Sequence, residues 1–207
     1  MPISRHCCQR LTVQILRLLL VLSVAPLVFS ATNPTSNLLS VADLKRSAES
    51  GDATSQYELG RLYYEGEGVD EDHEKAVKWY LKAAEQNYAE AQGYLSEMYL
   101  NGEGFEENND KAVYWAKRAA DQGDALGQNN VGYIYDEGLG VEEDDAKAVE
   151  WYRKAAEQGN PKGQVNLGLM YDEGTGVVED DSQAVEWYRK AAEQGNPEGQ
   201  VNLGLMY

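Results

Sequence analysis

Residues 151–171 read WYRKAAEQGNPKGQVNLGLMY, and residues 187–207 read WYRKAAEQGNPEGQVNLGLMY. The two stretches lie 36 residues apart and differ only in having Lys162 in one and Glu198 in the other. The same step, without insertion or deletion, relates all four tryptophans of the chain: Trp79, Trp115, Trp151 and Trp187. A fixed period of this length is typical of a repeat array in which each unit is one supersecondary element.

Each unit is predicted to contain two helices. Leu59 and Tyr63 share one face of a first helix over residues 53–65, and Gly66 is suited to end that helix because glycine tolerates the left-handed conformation. A residue that favours a helix N-terminus precedes the second helix in every copy: Asp72, Asn108, Asp144 and Asp180. The second helix directs small and aromatic residues inward, with Trp79 as the largest of them. Small residues recur beside the inward leucine or valine of the first helix and predict close helix packing: Gly60, Ser96, Gly132, Gly168 and Gly204.

The period divides the chain after its leader into a short linker and an all-α repeat array. The linker covers residues 31–37. The array comprises a capping half-repeat at 38–52, repeats at 53–88, 89–124, 125–160 and 161–196, and an incomplete repeat at 197–207. The half-repeat is inferred because Val41 and Ala48 precede Val77 and Ala84 by one period. The last segment leaves Leu203, Met206 and Tyr207 without a second helix. We therefore expect a longer array, or an end that is covered by a partner or by dimerisation.

The first segment of the chain resembles a targeting signal. Three arginines precede an apolar run over residues 18–29, and Ser30 is small enough to end a cleavage site. This pattern is typical of a secretory signal peptide over residues 1–30, since the apolar run is short for a bilayer span. An uncleaved N-terminal anchor is the alternative. Either one predicts an exported protein that is secreted or periplasmic, or lumenal in the endoplasmic reticulum of a eukaryote.

The charge and cysteine content of the chain narrow the classes of partner. Both cysteines, Cys7 and Cys8, lie in the predicted leader, so the exported part is held together by packing alone. The formal net charge is −17, which disfavours nucleic acid and anionic membrane surfaces as partners, because both require a basic surface. The acidity has two interpretations, namely solubility and a basic protein partner.

The sequence does not predict a catalytic, metal or cofactor site. His73 is the only histidine outside the leader, and its position just after Asp72 is typical of an exposed first helical turn. The acidic loops at 68–72, 140–145 and 176–181 lack the alternating ligand spacing of a calcium-binding EF-hand. We therefore expect no enzyme activity, although paired carboxylates leave a glycan-acting enzyme as the least favoured alternative.

The repeat resembles a known family. Leu59-Gly60-x-x-Tyr63 is similar to the tetratricopeptide pattern, but Gln56 stands where that pattern has tryptophan, and the connector carries Gly-x-Gly-Val. With Lys-Ala-Val-x-Trp-Tyr-x-Lys-Ala-Ala-Glu-Gln-Gly, these features resemble the SEL-like (Sel-one-like) repeat family over residues 41–207. The resemblance implies a right-handed superhelical solenoid of antiparallel helix pairs that serves as a scaffold for protein–protein contact. One branch of the family has disulfides that cross-link its helix pairs. The repeats of this chain contain no cysteine, so the resemblance does not imply the activities of that branch.

Variable columns on the first helices predict a binding face. The copies agree at core positions and differ at positions equivalent to 54, 57, 61 and 64, which lie near one another away from the core. In the tetratricopeptide arrangement this face lines the concave groove. The predicted partner-binding residues are Tyr57, Arg61, Tyr64, Glu97, Leu100, Asn129, Tyr133, Asp136, Val165, Leu169 and Asp172. The alternative is that these columns vary because nothing constrains them.

The favoured function is an exported scaffold that binds a protein or peptide in its concave face. A structural spacer within a larger protein is the main alternative.

Overall fold

The computed structural model describes residues 40–207, and within that range the chain is entirely helical. The ten helices are α1 (Val41–Glu49), α2 (Ala53–Glu65), α3 (His73–Glu85), α4 (Ala89–Asn101), α5 (Asn109–Asp121), α6 (Ala125–Glu137), α7 (Asp145–Glu157), α8 (Pro161–Glu173), α9 (Asp181–Glu193) and α10 (Pro197–Leu205). The even-numbered helices from α2 to α10 are the first helices of the units, and α3, α5, α7 and α9 are the second helices. The predicted all-α solenoid of helix pairs is confirmed. The predicted leader and linker, residues 1–37, lie outside the described residues.

The helix ends follow from residues that recur in every unit. Each predicted N-cap accepts a hydrogen bond from a backbone N–H three residues later, as Asp72 does from Lys75 at 2.9 Å and Asp144 from Lys147 at 3.0 Å. Gly66 ends α2 with φ +70°, and the glycines at the ends of α4, α6 and α8 adopt the same left-handed conformation. The predicted caps and stops are confirmed.

Buried glutamines on the first helices bond to the ends of the second helices that flank them. The Gln92 amide donates to the carbonyl of Ala84, at the end of α3, at 3.0 Å. The Gln92 carbonyl oxygen accepts from the Gln122 amide at 2.7 Å, so both ends of the buried side chain are satisfied. The same acceptor bond forms between Gln158 and Gln128 at 2.7 Å. This bonding explains why glutamine occupies the column where a tetratricopeptide unit has tryptophan.

Tyrosines on the second helices pack against glycines on the first helices. A Cβ at Gly132 would lie 2.5 Å from the Tyr152 ring, and one at Gly168 would lie 2.6 Å from the Tyr188 ring. In the second unit, Ser96 replaces the glycine and Ala116 replaces the tyrosine, so the smaller ring-free side chain leaves room for the serine. The predicted close approach is confirmed at Gly60, Gly132 and Gly168, where the side chain that requires it is tyrosine. The prediction is wrong for Gly204, because a Cβ there would meet no atom within 4 Å.

The tryptophan column is less buried than predicted. Trp115 and Trp187 are buried, but Trp79 and Trp151 are only half-buried. A lysine ammonium lies over the ring of each half-buried tryptophan. For Lys154 over Trp151, it lies 3.7 Å from the ring centre. The predicted inward position of Trp79 is therefore only partly confirmed, because Trp79 and Trp151 lie at the edge of the core with a lysine ammonium over each ring.

The first helices lie on the inner side of the curve. Consecutive first helices contact each other at α4 and α6, at α6 and α8, and at α8 and α10. Lys162 at the start of α8 also reaches Glu97 on α4, two units away. A contact between helices two units apart requires the array to bend toward that side, so the first-helix face is concave.

The last described helix exposes apolar side chains. Leu203 and Met206 pack in part against the core, whereas Val201, Leu205 and Tyr207 are exposed. None of the helices in residues 40–207 has the length and apolar character that crossing a membrane requires.

Candidate functional site

A groove of about 330 Å³ opens on the concave face near α2 and α4. Its lining comes from all four complete repeats: Tyr57, Tyr64, Glu90, Tyr94, Glu97, Asp124, Leu126, Asn160, Pro161 and Lys162. The volume lies at the small end of the range of about 300–1,000 Å³ that is usual for ligand sites. The groove therefore has room for one or two side chains of a partner.

A cluster of tyrosines forms one wall of the groove. The Tyr57 ring stacks on Tyr88, with the ring centres 5.1 Å apart, and it lies 6.0 Å from Tyr94. Tyr94 in turn stacks on the buried Tyr80 at 5.1 Å and meets Tyr64 edge-on at 5.9 Å. These packed rings hold one another in place, so the wall is formed before any partner arrives.

The tyrosine wall stays uncharged. Burial raises the pKa of Tyr57, Tyr64 and Tyr94, and nearby carboxylates raise it further, with Glu103 acting on Tyr64 and Glu97 among those acting on Tyr94. The Tyr64 hydroxyl donates to Glu103 at 3.0 Å. The groove thus presents neutral aromatic rings in a negative electrostatic field.

Asp124 is the most perturbed carboxyl group of the groove. It caps α6, where its Oδ1 accepts from the Gly127 N–H at 2.6 Å. Burial raises its pKa to about 6, and the charge of Glu90 adds to this effect, while the bond from Gly127 opposes it. Gly93 makes this position accessible, because a Cβ there would lie 2.6 Å from Asp124 Oδ1.

The one residue that distinguishes the two near-identical copies has a structural role. Lys162 lies in the first turn of α8 and forms an ion pair with Glu97 on α4. Its counterpart in the next copy, Glu198, carries the opposite charge. The residue at which the two copies differ is therefore the only lysine in the groove lining.

The structure brings three of the predicted partner-binding residues into this groove, namely Tyr57, Tyr64 and Glu97. Arg61 is directed elsewhere and pairs with Glu58 at 3.1 Å, with Glu67 at 3.0 Å and with Glu65.

The remaining predicted residues lie further along the first helices. Asn129 is 5% exposed and Val165 is 2% exposed, so the structure buries both and contradicts their assignment to a contact surface. Asn129 accepts a hydrogen bond from Asn166, on the next first helix, at 3.0 Å, and Val165 packs in the core with residues of α7 and α9. Leu100 and Leu169 pack in part against the core. Tyr133 is the most accessible of the set, at 39% exposed.

Two predicted aspartates support the core. Asp136 accepts from the Tyr152 hydroxyl at 3.1 Å, and Asp172 accepts from the Tyr188 hydroxyl at 3.4 Å. Tyr64 occupies the equivalent position in the first unit, and there the Tyr80 hydroxyl is buried without a hydrogen-bond partner. Whether the predicted residues bind a partner stays a prediction.

Sequence reasoning missed the other lining residues: Glu90, Tyr94, Asp124, Leu126, Asn160, Pro161 and Lys162. Two signals in the sequence point to them. Tyr94 interrupts a column that is asparagine in the later units, and Lys162 marks the single difference between residues 151–171 and 187–207.

The described residues offer no group of three or more His, Cys, Asp or Glu side chains arranged to hold a metal ion. His73 stacks on Tyr64 at 5.1 Å and lies 3.3 Å from a carboxylate oxygen of Glu71. Its surroundings are aromatic packing and a single exposed carboxylate.

Comparison with known proteins identifies the repeat. The chain matches the family model described as Sel1 repeat over four consecutive segments, residues 53–88, 89–124, 125–160 and 161–196. A search of curated proteins finds no match to this chain.

Solved structures share the fold. A Sel1 repeat protein from Oxalobacter formigenes is 36% identical with a TM-score of 0.72, and the match covers 79% of this chain and 65% of that one. A protective antigen present in uropathogenic Escherichia coli strains, which displays an SLR fold, is 46% identical with a TM-score of 0.68, over 81% of this chain and 36% of the antigen. An immunity protein from Pseudomonas aeruginosa shares the fold alone, at 20% identity and a TM-score of 0.54, over 78% of this chain and 58% of that one. The chain thus spans less than two thirds of the length of each of these proteins.

Proposed function

Because the chain belongs to the Sel1 repeat family, whose solenoids commonly serve as protein-interaction scaffolds, we propose that it is an exported module that binds a protein or peptide segment in its concave groove. The observation that carries this proposal is the convergence of side chains from four repeats on one preformed groove. Export rests on the pattern of residues 1–30, and it fits a chain without cysteines beyond its leader.

The composition of the groove suits a protein partner. Tyrosine is enriched in protein interfaces because it offers a large, rigid contact area with one polar end. Tyr57, Tyr64 and Tyr94 are held by ring contacts to one another, so binding orders few side chains. The carboxylates and Lys162 at the same groove provide the polar contacts that set orientation.

We propose that the chain acts by binding its partner and does not catalyse a reaction. Sel1 repeat proteins typically act as non-enzymatic scaffolds, and a rigid solenoid that holds contact residues in place reduces the ordering cost of association.

Site-specific photo-crosslinking tests this proposal. A benzophenone amino acid replaces Leu126, which lines the groove, and in a matched variant it replaces Tyr114, which is exposed on the second helix α5. Both full-length variants are irradiated with an extract of the exported fraction, and the crosslinked proteins are identified by mass spectrometry. We expect one protein to be crosslinked from position 126 and not from position 114. Equal capture at both positions, or capture at 114 alone, would refute the groove as the binding site.

A further inference from the structure

The charges of the groove do not balance. Its lining holds three carboxyl groups, on Glu90, Glu97 and Asp124, and a single ammonium, on Lys162. Lys162 pairs with Glu97, and within residues 40–207 neither Glu90 nor Asp124 forms an ion pair. Arg61, on the same first helix as two of the tyrosines, is held by three glutamates of its own. The groove therefore has negative charge that the described part of the chain leaves uncompensated.

Within residues 40–207, no lysine or arginine side chain lies over the tyrosine rings of the groove. Elsewhere the chain pairs aromatic rings with basic side chains, for example Lys190 over Trp187 at 3.9 Å and Lys75 over Tyr63 at 5.3 Å. In the described range, every lysine or arginine that lies over an aromatic ring lies over a residue other than Tyr57, Tyr64 and Tyr94. One face of each ring is covered by a stacked ring, namely Tyr88 on Tyr57, His73 on Tyr64 and Tyr80 on Tyr94. Since the face of an aromatic ring attracts a cation within about 6 Å of its centre, the opposite faces are the ones that can attract a cation.

The chain already places one ammonium in this groove. Lys162 reaches Glu97 across two units, and its side chain is 52% exposed while that of Glu97 is 16% exposed. An ion pair whose lysine is largely in water contributes little, so an incoming cation can displace Lys162 to solvent.

From these observations we infer that the groove binds the side chain of a lysine or arginine in a basic peptide segment, between the tyrosine wall and the carboxylates of Glu90 and Glu97. This inference rests on the proposed function, because it names the chemistry of the partner for the same groove. The cationic head meets Glu90 and Glu97, the aliphatic stem lies along the rings, and Lys162 is released. The net charge of −17 draws such a segment toward the chain before contact.

Selection from a random peptide-display library on the full-length chain tests the inference. We expect the selected peptides to share a lysine or arginine, and to compete with crosslinking from position 126. A fluorescent copy of the strongest peptide then serves as the probe in anisotropy titrations. Replacing its lysine by norleucine, or its arginine by citrulline, should weaken binding at least about tenfold, since this removes the charge and leaves most of the stem.

Variants of the protein locate the contact. Glu90→Gln should weaken binding of the probe at least about fivefold, and Glu97→Gln should do the same. Glu150→Gln is the matched control, because Glu150 is exposed on the second helix α7, and it should change binding less than about twofold. Lys162→Gln removes the competing ammonium and should tighten binding about twofold to fivefold.

The outcomes separate the inference from the proposed function. Peptides that compete at position 126 but lack a shared basic residue, or that bind the Glu90→Gln protein as well as the parent, would overturn the cationic anchor and leave the groove as the binding site. A library that yields no peptide competing at position 126 would overturn both. If Glu150→Gln weakened binding as much as Glu90→Gln, binding would be explained by general attraction to the acidic chain, and the specific contact at Glu90 would be refuted.

Discussion

Replacing Asp124 by asparagine should make the protein more stable at neutral pH. Burial holds the pKa of this carboxyl at about 6, against 3.8 for a free one. A carboxyl whose folded-state pKa is raised favours the fold only while it is protonated, so its contribution is present below about pH 4 and is lost as the pH rises through about 6. At pH 7 the folded chain therefore carries a charged group that the fold disfavours. Asparagine removes the charge and keeps the cap, as Asn160 does in bonding the Gly163 N–H at 2.8 Å.

The pKa difference sets the magnitude of the gain. About two units at about 1.4 kcal/mol each give about 3 kcal/mol as the limit. Water that reaches the half-buried carboxylate lowers this figure, so we expect about 1–2 kcal/mol, or about 4 °C in melting temperature. Thermal unfolding followed by circular dichroism at about pH 7.5 and about pH 4 measures it, and the gain should shrink at the lower pH.

Asp52 is the matched control, because it caps α2 at the equivalent position. The side chain and backbone N–H of Ser55 lower the pKa of Asp52, so its contribution to stability is present at neutral pH and is lost as the pH falls through its folded-state pKa. Asp52→Asn should therefore fail to stabilise the chain at pH 7. A gain from Asp124→Asn that did not depend on pH, or an equal gain from Asp52→Asn, would refute the assignment of the effect to burial of the Asp124 charge.

Two further pairs of variants test the packing of the repeats. Gly132→Ala should destabilise the chain by about 1–3 kcal/mol, because its Cβ would lie 2.5 Å from the Tyr152 ring, whereas Gly204→Ala meets no neighbour within 4 Å and should stabilise the helix by up to about 1 kcal/mol. Urea unfolding of the two variants would contradict this reasoning if they shifted alike. Tyr152→Phe should cost about 1 kcal/mol through loss of the hydroxyl bond to Asp136, whereas Tyr80→Phe should be neutral or stabilising, since that hydroxyl is buried without a partner. A loss from Tyr80→Phe as large as that from Tyr152→Phe, measured in the same way, would show that the Tyr80 hydroxyl has a partner.

Much of the fold was predictable because the same physical constraints recur in each unit. The N-caps, the glycine stops and the small residues that admit a tyrosine ring all repeat every 36 residues. A helix boundary that is ambiguous in one copy can therefore be assigned from the others. Trp151 shows the limit of that approach, because its recurrence at helical spacing did not reveal that a lysine rather than the core covers part of its surface.

The groove was harder to predict because it depends on departures from the repeat. Tyr57 and Gly93 share one column, yet the first builds the tyrosine wall and the second lets Asp124 approach α4. Side chains at equivalent positions therefore have different neighbours, and curvature decides which of them meet. The pairing of Lys162 with Glu97, 65 residues away, follows from that curvature and from no local pattern.

The most direct test of the account is amide hydrogen exchange of the full-length chain, with and without a bound peptide selected from the library. The first amides of α6 and α8 are the sensitive probes, because the N-terminal turn of a helix lacks internal hydrogen bonds. We predict that the peptide slows exchange at residues 125, 126 and 162, on the rim of the groove, and leaves the first turns of α5 and α7 unchanged. The amides of Gly127 and Gly163 are not used as probes, because each already donates to a cap side chain. Slower exchange at α5 and α7, with none at α6 and α8, would place binding on the outer face and contradict the central claim.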